Sequence, residues 1–316
     1  MNKNKIISLL GLIVVVILWG IAPITSKYLF DGGYYSPALL VAVRGALSCL
    51  AMFFIVLLTG DWKDLNKSYW ICIPAGLILG AAYLFQFIGL DSTTPAKNTF
   101  LESFSCVAVP LTIFILTKEK PSVVSVLAAL VCVFGAFILC GQGWNFTALF
   151  TAPTIGDILS SIGGLFFGID IAFTKVFAKG KNSRLFVFIQ LIILTIMSFA
   201  YAIPFEKNLA FNWDLPIRLN VLFIGVVCTA VCWVLRTKCI QNVSAVTCAV
   251  LMPMSAVVAA IFSIAIGMES FSWNVVAGGL IITLAIVLSG IYDARKEAKQ
   301  KSEQEVSANE QNQCQQ

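Results

Sequence analysis

Three ionisable side chains stand where charge is expensive. Arg44, Glu102 and Asp170 each lie well inside a long apolar run. A charge within a membrane span costs several kcal/mol, so each is a functional candidate by default. At about 1.5 Å of rise per residue, Arg44 and Glu102 sit roughly 10–12 Å below the same face. Equal depth allows an ion pair in a water-accessible vestibule. Such a pair serves as a gate that a solute, or a proton on Glu102, disrupts. The plainer alternative is a permanent structural pair between helices. Asp170 lies in the other half of the membrane. It faces an inner cavity, or it pairs with Arg236 or Lys175.

Neutral polar and aromatic groups extend this set. Trp19 lies mid-run, Tyr83 and Gln86 are spaced i, i+3, and Asn98 and Glu102 are spaced i, i+4, so each pair shares a helix face. Gln190 and Trp233 lie in later runs. Aromatic walls with a few polar groups are how small-molecule sites are lined. For most aromatics, packing or lipid contact is the expected role.

Other chemistry is missing. The chain has no histidine. That removes His acid–base catalysis, the HExxH zinc motif and His proton relays. No GxSxG, P-loop or Rossmann glycine pattern occurs. The 10 cysteines lie in or beside apolar runs, apart from Cys314 in the tail. Cys228 and Cys232 are one turn apart without a His or acidic companion, so packing is expected. No catalytic residue, metal site or cofactor is expected.

The elements that position these residues follow from composition. Of 316 residues, 59% are hydrophobic and 12% charged, too few charges to cover a soluble surface. The chain is too apolar for disorder and lacks the short alternating segments of an outer-membrane barrel. A span needs ~20 apolar residues. Ten runs qualify: 6–26, 36–58, 70–90, 95–117, 122–140, 155–178, 185–204, 216–235, 244–267 and 272–291. Residues 294–316 are polar and read as a disordered cytoplasmic tail. The first run is too long for a signal peptide and has no small-residue cleavage site after it.

Lys and Arg set the orientation. With the N-terminus inside, 16 fall in inside segments, 4 in outside segments and Arg44 within a helix. This bias places both termini in the cytoplasm. The net charge of +5 forms no single basic patch, so no nucleic acid is expected. Trp62, Tyr69, Trp70, Trp144, Trp213 and Trp273 lie near run ends and read as interface anchors. Gly76 and Gly80, with Gly163, Gly164 and Gly168, allow close helix approach. Pro23, Pro110 and Pro253 fall inside runs and bend them.

The chain also repeats. A shift of 148 carries Trp19-Gly20-Ile21 onto Phe167-Gly168-Ile169, and Ser26-Lys27 onto Thr174-Lys175. A shift of 150 carries Glu119 onto Glu269, Ser122 onto Ser272 and Val126 onto Val276. Two repeats follow, 1–140 and 141–293, each of five spans. Five is odd, so the halves enter the membrane in opposite senses. Inverted repeats are a signature of secondary carriers, with the solute site between the halves. The fold class is therefore all-α and polytopic, with ten transmembrane helices in two inverted five-helix repeats.

These features together resemble the EamA-type, ten-helix drug/metabolite transporter superfamily. The residues that carry the resemblance are Trp19-Gly20 with Lys27, Thr93-Thr94-Pro95-Ala96, and Phe100-Leu101-Glu102-Ser103. Val109-Pro110-Leu111, Lys118-Glu119-Lys120-Pro121-Ser122, Gly135, Ser244-Ala245-Val246-Thr247 and Glu269 complete it. The chain departs from the family where a Glu-Pro is common in the ninth helix: here that position is near Ala256, with Pro253 three residues earlier. The resemblance implies transport of small metabolites, amino acids or drugs without ATP hydrolysis, not enzymatic activity. The expected function is a secondary active exporter working by alternating access in a prokaryotic cell membrane. Its partners would be a small-molecule substrate, the lipid bilayer and, as one option for coupling, protons. Oligomeric state stays open. The alternative is a channel, or a lipid-handling or enzymatic membrane protein.

Overall fold

A long apolar run in lipid has one local way to satisfy its backbone, the α-helix. The computed structural model describes residues 3–118, 120, 122–140, 154–206, 214–243, 247–248, 251–268, 270–271, 273–274, 276–285, 288 and 292. Among these the ordered elements are all helical, with no strand. In chain order they are α1 (Lys3–Asp31), α2 (Pro37–Thr59), α3 (Cys72–Asp91), α4 (Pro95–Leu101), α5 (Ser105–Thr117) and α6 (Val123–Cys140). Then come α7 (Ile155–Phe177), α8 (Ser183–Phe205), α9 (Leu215–Leu222), α10 (Cys232–Ile240), α11 (Met254–Ala265) and α12 (Val276–Ala285).

Seven helical segments are long and apolar enough to cross a membrane: Lys5–Asp31, Pro37–Thr59, Lys67–Asp91, Pro95–Thr117, Ile155–Phe177, Ser183–Phe205 and Leu215–Ile240. Shorter apolar helices occupy Val126–Gly135, α11 and α12, within the fifth, ninth and tenth predicted runs. All-helical among the described residues, the chain is a multi-pass membrane protein. Glu119, Glu269, Ser272, Pro121, Trp144, Trp213, Ser244-Ala245-Val246 and the tail 294–316 lie outside the described residues.

Local sequence sets the ends. Pro37 and Pro95 occupy first helical turns, where a missing N–H is harmless. Thr154 and Asp157 form a capping box at the start of α7. Gly60 ends α2 at φ 71°, a left-handed conformation that suits glycine. Three breaks matter more. The fourth span is interrupted by a 3-10 turn, Glu102–Phe104. The span from α9 to α10 contains a π-helical segment, Phe223–Val231. A turn at Met252-Pro253 precedes α11.

Helices α3 and α8 pack on one another, α2 on α8, α5 on α7 and α1 on α11. The glycines make this possible. A Cβ on Gly163 would stand 2.9 Å from the Gln86 nitrogen, and one on Gly164 would stand 2.8 Å from the Glu102 Cα. Gly76 and Gly80 likewise face Ile193 and Met197 of α8.

Close approaches come in matched pairs. Gly168 abuts Ser105 O and the Ala108 side chain, and Gly20 abuts Ser255 O and the Val258 side chain. The shifts of 148 and 150 carry one set onto the other. Lys27 donates to Asp91 O at 2.7 Å, and Lys175 donates to Gln241 O at 3.3 Å, again matched positions.

The anchor assignments divide. Trp62, Trp70 and Trp273 are exposed, as interface anchors would be, whereas Tyr69 is buried. Its hydroxyl accepts the Asn182 N–H at 3.0 Å, because the helical turn Lys67–Ile71 folds it under the α7–α8 loop.

Candidate functional site

A cavity runs between α1, α2, α3, the α4–α5 span, α7, α10 and the start of α11. It holds about 660 Å³ of empty space, counting the part open to solvent. Its walls are aromatic. Trp19 and Trp233 ring centroids are 5.1 Å apart, Tyr83 and Phe167 are 5.4 Å apart in an edge-to-face arrangement, and Tyr83 and Trp233 are 5.9 Å apart. The box is built twice over: the 148 shift carries Trp19 onto Phe167, and the 150 shift carries Tyr83 onto Trp233. Polar handles lock the rings. Trp19 Nε1 donates to Cys228 O at 2.9 Å, and Trp233 Nε1 donates to the Tyr83 hydroxyl at 2.6 Å.

Arg44 enters this wall from α2 and is 2% exposed. Its Nε and Nη2 donate to Thr229 Oγ1 at 2.9 and 2.7 Å, and Nη2 also reaches the Tyr83 hydroxyl at 3.4 Å. Thr229 lies on the π-helical segment and donates back five residues, to Ile224 O, at 2.8 Å. The guanidinium carbon lies 4.6 Å from the Tyr83 ring centre and 4.8 Å from that of Phe87. Such contacts favour a cation.

Glu102 reaches the same cavity from the 3-10 turn, and Gln86 Nε2 donates to its Oε1. Arg44 and Glu102 share the vestibule, as the depth argument anticipates. They do not form an ion pair among the described residues. Thr229 and Tyr83 hold the Arg44 fork on one side, while Gln86 holds Glu102 on the other.

Asp170 resolves differently. Its Oδ2 lies 2.9 Å from Arg236 Nη1, with both side chains at most 1% exposed. Gln190 Nε2 donates to Asp170 Oδ1 at 3.0 Å. The Arg236 guanidinium carbon lies 4.5 Å from the Trp233 ring centre. Lys175 instead donates to the carbonyls of Ile240, Gln241 and Val243.

Of the sequence candidates, Trp19, Arg44, Tyr83, Gln86, Glu102 and Trp233 line the cavity. Asp170, Gln190 and Asn98 do not. Asp170 and Gln190 stand behind Arg236, and Asn98 ties α3 to α4 and α7 through Gln86 O at 3.0 Å and Ser160 Oγ at 2.8 Å. The sequence offered Arg236 as one of two partners for Asp170, but not as a buried residue of the cavity wall. It counted as a loop charge because the apolar run ends at 235, yet α10 continues to Ile240 and buries it. Of the two partners the sequence left open for Asp170, the structure selects Arg236 over Lys175. Phe167 was missed, although it is the repeat mate of Trp19. Among the described residues no three of His, Cys, Asp or Glu come together as a metal cage.

The chain is 28% identical over 281 residues to an uncharacterized transporter of Archaeoglobus fulgidus, covering 88% of this chain and 84% of that one. It is 24% identical over 231 residues to an uncharacterized transporter of Methanothermobacter thermautotrophicus, covering 71% and 64%. A solved crystal structure at 16% identity superposes with a TM-score of 0.72 over 92% of this chain and 98% of that one, a likeness of fold. A family model matches residues 6–141 and 154–291, segments whose offset reproduces the internal repeat. With nearly every helix inside those two segments, the chain belongs to the EamA-like transporter family.

Proposed function

We propose that the protein is a secondary active transporter that exports small organic metabolites by alternating access. In this reading ten spans form two inverted halves, 1–140 and 141–293, with both termini in the cytoplasm of a prokaryote. The observation that carries it is the cavity. Both halves contribute matched aromatic rings, and an interrupted helix from each borders it, at Glu102–Phe104 and at Met252-Pro253. Interrupted helices at the interface of two repeats are the usual architecture of carrier sites. The Arg236–Asp170 couple then serves as a fixed support, while Arg44 and Glu102 contact the solute. Protons are one coupling option, through Glu102.

Counterflow in proteoliposomes tests this. Labelled amino acids or drugs should accumulate against an internal unlabelled pool, and Trp233→Ala should reduce that flux. Passive conductance without counterflow would favour a channel. Intact pH-driven flux in Glu102→Gln would remove Glu102 as the coupling group. Single cysteines at Lys63 and Lys97 should label from opposite membrane faces.

A further inference from the structure

Two repeat mates border the cavity, and only one of them is a regular helix. Helix α3 is an unbroken α-helix, Cys72–Asp91. Its mate, the span from α9 to α10, carries the π-helical segment Phe223–Val231. A π turn holds one residue more than an α turn, and such turns cluster at functional sites.

Matched contacts show where the extra residue entered. A Cβ on Gly76 would lie 2.6 Å from Ile193 Cβ and 3.0 Å from Gln190 O, and one on Gly225 would lie 3.0 Å from Leu47 Cβ and 3.2 Å from Arg44 O. A shift of 146 carries Leu47 onto Ile193, Arg44 onto Gln190 and the N-cap Ser36 onto the N-cap Asn182. Gly76 and Gly225 are therefore mates, at a shift of 149. Beyond the segment the shift is 150. Tyr83 meets Phe167 as Trp233 meets Trp19, and Lys27 bonds Asp91 O as Lys175 bonds Gln241 O. The second half has one residue more between Gly225 and Trp233, and the π turn houses it.

The segment grips two cavity residues. Thr229 Oγ1 donates back to Ile224 O at 2.8 Å and accepts Arg44 Nε and Nη2 at 2.9 and 2.7 Å. Cys228 O accepts Trp19 Nε1 at 2.9 Å. The other half differs. The mate of Arg44 is Gln190, whose Nε2 turns to Asp170 at 3.0 Å, and α3 has Leu79 and Gly80 where Thr229 would fall.

We propose that the π turn is a one-residue insertion that makes Thr229 the positioning residue for Arg44. Thr229 holds the guanidinium against the cavity wall instead of on Glu102, so that both charges stay at the cavity.

The experiment reads phenylglyoxal modification of the purified full chain, with peptide mass spectrometry giving the rates at Arg44 and Arg236 from one sample. Arg236 lines the same cavity, and its Nε and Nη1 have no hydrogen bond among the described residues, so it reports access of the reagent. Every chain compared carries Glu102→Gln, so that no carboxylate captures a freed guanidinium. Thr229→Val keeps the shape and removes the hydroxyl. It should raise the Arg44 rate at least about threefold, because bonds to a charged group are lost, and leave the Arg236 rate within about twofold. Thr229→Ser should return the Arg44 rate to that of the chain with Thr229. Deletion of Thr229 gives Gly225 and Trp233 the spacing of Gly76 and Tyr83, so a regular α-helix should close the gap. That chain should unfold within about 5 °C of Thr229→Val and show the same raised Arg44 rate. Deletion of the exposed Leu77 should instead lower the midpoint by more than about 10 °C, because α3 has no residue to spare. An unchanged Arg44 rate in Thr229→Val overturns the positioning role, as do equal rises at Arg44 and Arg236 or a failed rescue by serine. A Thr229 deletion as damaging as the Leu77 deletion overturns the insertion.

Discussion

Replacing Asp170 by Asn is the most informative single change. The substitution keeps the volume and removes one charge. Arg236 is then left 1% exposed with no anion beside it. Charge centres roughly 4 Å apart attract by about 4 kcal/mol at an effective dielectric near 20. Measured losses on breaking a buried pair are of the same size, about 3–5 kcal/mol, because the survivor stays desolvated. The ring of Trp233 beneath the guanidinium offsets only part of this, on the order of 1–2 kcal/mol. For a long chain, about 2 °C of midpoint shift accompanies each kcal/mol, so the drop should be roughly 5–10 °C. The assay is thermal unfolding of purified protein in detergent. The partner experiment replaces both residues, Asp170→Leu with Arg236→Met. With no charge left to strand, the double variant should recover at least half of the single variant's loss. A midpoint for Asp170→Asn within about 2 °C of the native chain would refute the account, because Arg236 would then not depend on Asp170.

Three further outcomes follow from the geometry. Gly164→Val should destabilise by about 1–3 kcal/mol, because a Cβ there would lie 2.6 Å from Leu101 O and 2.8 Å from the Glu102 Cα; thermal unfolding and monodispersity of the purified protein measure it. Glu206 accepts the Ala38 and Leu39 N–H groups at 2.7 and 2.9 Å and bonds Ser36, so Glu206→Gln should cost about 1 kcal/mol at the start of α2, read as a lower midpoint. At the loop residue Asp61, burial pushes the carboxyl up, but bonds from Thr59, Asn182 and Arg184 with the Arg184 charge outweigh it, and the net pKa lies below the ordinary value. Its contribution should therefore be full above the unfolded pKa of about 3.9, fade below that, and be gone beneath the folded pKa. The midpoint gap between native protein and Asp61→Asn should stay constant from neutral pH to about pH 5 and narrow only under stronger acid.

Much of the site was legible in the chain because the cost of burying charge is local. Arg44 and Glu102 announce themselves by interrupting apolar runs, and both line the cavity. Phe167 was available through the repeat, as the mate of Trp19. Arg236 was legible as a partner for Asp170, but its burial was not, because a charge at the end of an apolar run looks like a loop residue and hydropathy alone does not say that the helix continues. Asn98 and Gln190 were overvalued for the opposite reason. Helical spacing places a polar side chain on a face but not which neighbour that face meets. Both turn into second supports, one bonding Gln86 O and Ser160, the other Asp170.

By itself the sequence determined the membrane class, the succession of apolar runs, the repeat and the short set of buried charges. Each is a property of composition or period along one helix, where the hydrophobic effect and backbone satisfaction act locally. Only the tertiary structure decided the partners. Arg44 meets Thr229 rather than Glu102, and Asp170 meets Arg236, across sequence separations that no periodicity encodes. Helix crossings set those distances. The crossings depend in turn on glycines such as Gly163 and Gly164, which admit a neighbouring backbone to contact distance, and on the breaks at Glu102–Phe104 and Phe223–Val231, which carry Glu102 at the cavity and Thr229 against Arg44.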